Sequence, residues 1–121
     1  MKEISIGLGL VLMLTIHCAQ AQDKIDAQEI AEYQTNLMVQ ELALNEDQQN
    51  EVEPINLRYA EKAAALLNAE GSMFSKIGDI QENNQQKKDT LSTVLTEAQL
   101  KKYEDKLEPT FRQYFRNKMR Q

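Results

Sequence analysis

Leu95-Thr96-Glu97-Ala98-Gln99-Leu100 reads as a helix start, and Leu44-Asn45-Glu46-Asp47-Gln48 repeats it 51 positions earlier. In each string a Thr or Asn side chain can accept a hydrogen bond from the backbone N–H three residues on. The Gln at that third position can reach back to the cap's own N–H, which satisfies two of the donors a helix start leaves free. Acids in the first turn (Glu46, Asp47, Glu97) suit the positive end of the helix dipole. The same logic returns at Ile25-Asp26-Ala27-Gln28-Glu29-Ile30, with Asp26 as cap, Glu29 at the third helical position, and Ile25 and Ile30 as a hydrophobic staple. Ala69-Glu70-Gly71-Ser72 reads as a stop followed by a fresh cap.

Between these signals the apolar residues keep helical spacing. The first helix shows Ile30, Tyr33, Leu37, Met38 and Leu42, and the second Val52, Ile55, Tyr59, Ala63 and Leu66. The third carries Met73, Ile77, Ile80, Leu91, Val94 and Leu95, but its centre, residues 82–88, loses the stripe and suggests a loose or bent stretch. The fourth carries Leu100, Tyr103, Leu107, Phe111, Tyr114 and Phe115. No run alternates as a half-buried strand does. The expectation is an all-α chain with helices near 27–43, 46–69, 73–94 and 97–118, kinked or briefly broken at Pro54 and Pro109. Each proline follows a Glu and precedes a Tyr by five positions, so residues 44–62 and 95–118 read either as two copies of one unit or as a chance match.

The chain opens with Met1-Lys2-Glu3, an apolar run from Ile4 to Ile16, and His17-Cys18-Ala19-Gln20-Ala21. That is the layout of a secretory signal peptide ending in an Ala-x-Ala site, and 13 apolar residues fall short of the roughly 20 that span a bilayer. The expectation is a leader over 1–21 and a single helical domain over 22–121, exported to the periplasm. Lipidation of Cys18 is the alternative, and would tether the protein to a membrane. Cleavage after Ala21 would remove the only His and the only Cys. What remains cannot build a His-dependent triad, a zinc finger, a disulfide or a usual haem site. Two glycines, Gly71 and Gly78, make no phosphate cradle. No enzyme, catalytic residue, cofactor or metal is expected.

Net charge is −5 and the isoelectric point about 4.9, which argues against nucleic acid as a partner. Charge is unevenly spread: residues 22–53 hold nine acids and one base, whereas beyond Glu108 there are four bases (Arg112, Arg116, Lys118, Arg120) and no acid. Leu, Ile, Val and Phe make up 21 of residues 22–121, close to the roughly 20% below which charged chains stay disordered. So thin a core points to an extended hairpin shape or a homodimer.

The paired strings at Leu44, Asn45, Gln48 and at Leu95, Thr96, Gln99, in a small helical chain with a leader, resemble the LTXXQ-motif periplasmic family (Spy/CpxP-like). The likeness spans about residues 33–118; Asn45 departs from the motif's Thr, and residues 22–121 lack the histidines of metal-binding members. What it implies is four helices in interlocked hairpins, pairing into a thin curved dimer. It further implies either an ATP-independent chaperone for non-native polypeptides or a regulatory partner of an envelope-stress sensor domain.

The candidate client-binding strip is Phe111, Arg112, Tyr114, Phe115, Arg116, Lys118 and Arg120, where aromatics offer apolar contact and cations meet carboxylates. Two plainer readings stand beside it: Phe111 and Phe115 pack inward, or the basic tail pairs with the acidic first helix. Asp23, Asp26, Glu29, Glu32 and Glu41 could bind a divalent cation through oxygen but read first as a solvated face, as do Lys87, Lys88 and Asp89.

Overall fold

A computed structural model describes residues 25–120. The expected leader over 1–21, Cys18 and Asp23 lie outside the described residues. Helices α1 (Ala27–Leu42), α2 (Glu46–Asn68) and α3 (Met73–Leu91) are followed by α4 (Glu97–Lys102), a π-helical turn (Tyr103–Leu107) and α5 (Glu108–Met119), which run on as one fourth rod. The fold is all-α, and no strand occurs among the described residues.

Short connections make neighbouring helices antiparallel. The start of α1 is tied to the end of α2, since Ile25 N donates to Asn68 Oδ1 (3.0 Å) and Asn68 Nδ2 to the Ile25 carbonyl (3.1 Å). α3 folds back on α2, with Asn83 Nδ2 donating to the Tyr59 carbonyl at 3.1 Å and the Tyr59 and Thr90 hydroxyls 2.8 Å apart. The fourth rod lies antiparallel against α1, where Gln99 meets Leu42, Lys106 meets Glu41, and Lys118 meets Glu29. The main core gathers Met38, Leu42, Val52, Leu91, Leu95, Tyr103, Leu107 and Phe111, and a smaller cluster centres on Ile30, Ala31 and Ala60.

The caps fall where the sequence places them, with one change. Asn45 and Thr96 each form the full capping box, and Ser72 accepts from Ser75 N. Gly71, at φ 116°, supplies the left-handed residue of the α2–α3 turn. Asp26 accepts instead from Gln28 N, two residues on (2.9 Å), and Glu29 turns away to Lys118. An ion pair across helices wins over the reach back to the cap.

Neither proline ends a helix. Pro54 is exposed within α2, as is Asn50, whose carbonyl it cannot bond. Pro109 sits in the first turn after the π-helical turn. There the Glu108 N–H bonds the Tyr103 carbonyl five residues back, and the widened turn absorbs the donor that Pro109 lacks. The central part of α3 is likewise neither loose nor broken: Asn83 and Lys87 are buried, and with Gln34 and Thr35 of α1 and Asn56 of α2 they make up a buried polar set. Asn56 Nδ2 donates to Thr35 Oγ1 at 2.9 Å within it.

The two glutamines of the repeated strings do more than close their own boxes. Gln48 Nε2 donates to Gln99 Oε1 (2.7 Å) and to the Val94 carbonyl (3.2 Å); Gln99 Nε2 donates to Gln48 Oε1 (3.2 Å) and to the Leu42 carbonyl (3.1 Å). Each amide thus caps its own helix and binds the carbonyl that ends the other hairpin. Two local signals become one long-range clamp. Thr96→Ala is expected to cost about 1 kcal/mol, as lost N-caps do. Gln99→Ala should cost more, about 2–3 kcal/mol, because it also strands the partly buried Gln48 amide. Urea unfolding of Thr96→Ala, Gln99→Ala, Gln48→Ala and the Gln48→Ala/Gln99→Ala pair checks this, and purely additive losses in the two glutamine variants would deny the clamp.

Candidate functional site

The strip expected from Phe111 to Arg120 divides by helix face. Leu107, Phe111, Tyr114, Phe115 and Lys118 recur at three- and four-residue spacing and turn towards α1. Phe111 is 5% exposed, its ring centroid 6.1 Å from Tyr33 and 6.0 Å from Tyr103. Tyr114 stacks on Tyr33 at 4.1 Å with the rings 12° from parallel. Phe115 is half-buried against the Ile30 cluster, and Lys118 Nζ pairs with Glu29. The strip therefore offers no client an open aromatic face, which corrects the expectation: the aromatics are core and seam. Arg112, Arg116 and Arg120 are exposed. The pairing of the basic tail with the acidic first helix holds at Lys118–Glu29, within one chain.

The acids of α1 are engaged singly. Asp26 caps, Glu32 accepts from Gln28 Nε2 (3.2 Å), and Glu41 binds Lys106, which holds its carboxyl below the usual range. Among the described residues no three of His, Cys, Asp and Glu converge as a cation site.

Apart from Met119, the exposed large apolar residues among those described lie elsewhere. At the start of α3, Phe74 is 87% exposed, with Met73 at 42% and Ile77 at 45% beside it. Phe74 and Ile77 are three apart and share a face, so the three side chains form one ridge just past the α2–α3 turn. Met73 and Ile77 belong to the stripe that reads as core from spacing, but the expected burial fails because, among the described residues, no helix covers the outer side of this half of α3. Phe74 directly after Met73 was the one signal that the stripe is broader than the cover available.

A second site has no local signal in the sequence. Lys87 is buried at 5% exposure, not solvated, and its Nζ donates to Gln34 Oε1 at 2.7 Å. The rings of Tyr103 and Phe111 lie 5.9 and 5.5 Å from the nitrogen. Burial pulls its pKa down to about 7, with Glu108 pushing weakly the other way. Burial also holds the Tyr103 hydroxyl above its ordinary range, so it stays a neutral phenol. Lys88, unlike Lys87, pairs at the surface with Glu108 (3.2 Å).

The family described as a domain of unknown function (DUF4890) matches residues 17–103. That is well over half of the chain, and the chain belongs to this family; the matched span includes the ridge, Lys87 and both glutamines, and stops before Phe111. Neither a curated protein nor a solved structure matches significantly.

Proposed function

We propose that this DUF4890 member is a non-enzymatic binding protein, exported to the periplasm, that holds non-native polypeptides against the ridge of Met73, Phe74 and Ile77. The observation that carries the reading is the exposure of three large apolar side chains side by side, Phe74 almost entirely. Soluble domains seldom leave such a patch open without a use for it. Full burial of one such side chain is worth about 1.5–3 kcal/mol, and the costs of association consume much of the total from three. Binding through this ridge is therefore weak and reversible. A holder without ATP requires that, because release must follow from equilibrium alone. The exposed Arg112, Arg116 and Arg120 contribute attraction of acidic clients at a distance, screened beyond about 8 Å at physiological salt. The likeness of the paired strings to the LTXXQ-motif family, and the leader expected over 1–21 from its sequence, favour the same reading.

Aggregation of two unrelated clients, followed by light scattering at stoichiometric ratios, tests it. The native chain should suppress both, and Phe74→Ser with Ile77→Ser should lose most of that protection with helix content unchanged. A regulator of one sensor domain would instead bind that partner tightly and protect neither client. Retained protection by the double variant would remove the ridge from the account.

A further inference from the structure

Between α3 and the fourth rod lies a cleft of about 260 Å³, with Gln34 of α1 beside it and Lys87 on its wall. An ammonium offers three donors, and Lys87 uses one of them, on Gln34. Among the described residues no carboxylate comes within 4 Å of its nitrogen. Glu108, the acid that acts on it from the rod, is engaged by Lys88 at 3.2 Å and by Arg112 at 3.9 Å. A buried cation without an anion is costly, and buried charges are as a rule paired. The cleft wall that carries Lys87 also carries Phe111 and Phe115, while Lys88 and Arg112 stand at its rim.

We propose that this cleft binds a small organic monocarboxylate, whose carboxylate pairs with Lys87 and whose apolar body lies against Phe111 and Phe115. A cation set among aromatic rings selects an anion that carries apolar surface over a compact inorganic one. The volume, just under the roughly 300 Å³ where pockets for drug-sized ligands begin, sets the size at about one ring or a short branched chain. Lys88 and Arg112 raise the local concentration of anions in an otherwise acidic protein. The site is independent of the polypeptide-holding ridge, which lies at the other end of α3.

Binding should also take up a proton. The groups facing Lys87 are Gln34 from α1, Lys88 from α3, and Tyr103, Glu108 and Arg112 from the fourth rod. Burial keeps Tyr103 among them a neutral phenol. Because Lys87 gives up its proton at about 7 in the free protein, affinity should be flat below pH 7 and fall with rising pH above it, by up to tenfold per pH unit.

Benzoate is the probe, with benzamide as its uncharged counterpart and inorganic phosphate as an anion without a body. By calorimetry on the full chain at pH 6, benzoate should bind with a Kd below about 1 mM. Benzamide, phosphate, and benzoate on Lys87→Met should each bind at least tenfold more weakly. On the native chain alone, the Lys87 side-chain signal in NMR should titrate at least one pH unit higher when benzoate saturates. Equal binding of benzoate and benzamide, equal binding of phosphate, undiminished binding by Lys87→Met, an unmoved Lys87 titration, or no saturable benzoate binding would each overturn the proposal.

Discussion

Lys87→Met should stabilise the protein at pH 6 to 7 by about 2–4 kcal/mol, although it deletes a hydrogen bond. The folded chain holds the Lys87 proton only up to about pH 7, whereas the unfolded chain holds it to the ordinary 10.5. That gap, at about 1.4 kcal/mol per pH unit, puts the burden of burying the ammonium on the order of 5 kcal/mol. Methionine keeps the unbranched stem and leaves no charge to desolvate. The loss of the 2.7 Å bond to Gln34 offsets about 1 kcal/mol of the gain. The sign of the pH dependence follows from proton counting. Below about 7 both states carry the proton and the burden is full and constant. Between about 7 and 10.5 folding releases it, so native stability rises with pH. The advantage of the Met variant should accordingly shrink as pH climbs towards 10. Urea midpoints of the two proteins at pH 6 and pH 10 read this directly. An advantage equal at both pH values would mean that Lys87 is not buried as a cation.

Phe111→Ala should cost about 3–5 kcal/mol, the range for emptying a packed aromatic site. Phe111 stands between Tyr33 and Tyr103 and closes the core where α1 meets the fourth rod. Arg112→Ser, Arg116→Ser and Arg120→Ser, on the outer side of the same helix, should each stay within about 0.5 kcal/mol of native. Thermal unfolding of the four variants decides between a core and a surface role. A Phe111→Ala protein as stable as the native one would return the residue to the surface.

What could be read along the chain was what depends on near neighbours. Asn45, Ser72 and Thr96 cap as expected, because capping is a matter of three or four consecutive residues. The all-α class and the stripe of α1 follow from spacing in the same way. The bond between Gln48 and Gln99 spans 51 positions and has no local signature. Lys87 carried the opposite of a signal: lysine among Gln, Asn and Asp is ordinarily solvated, and only the arrival of α1 and the fourth rod on both sides buries it. Phe74 and Phe111 each sit on a helix with an apolar stripe, yet one is exposed and the other buried. The outcome rested on which one found a helix to cover it, and α1 lies over Phe111 alone. At Pro109 the sequence marks an obstacle, but the widened turn that solves it depends on keeping Tyr103, Leu107 and Phe111 on the α1 side.

Backbone amide NMR with a permanently unfolded client tests whether polypeptide is held at the beginning of α3. Titration should move the signals of Met73, Phe74, Ile77 and their neighbours in fast exchange, and leave those of Phe111, Tyr114 and Phe115 in place. Shifts confined to residues 111–120, or none at all at millimolar client, would contradict it.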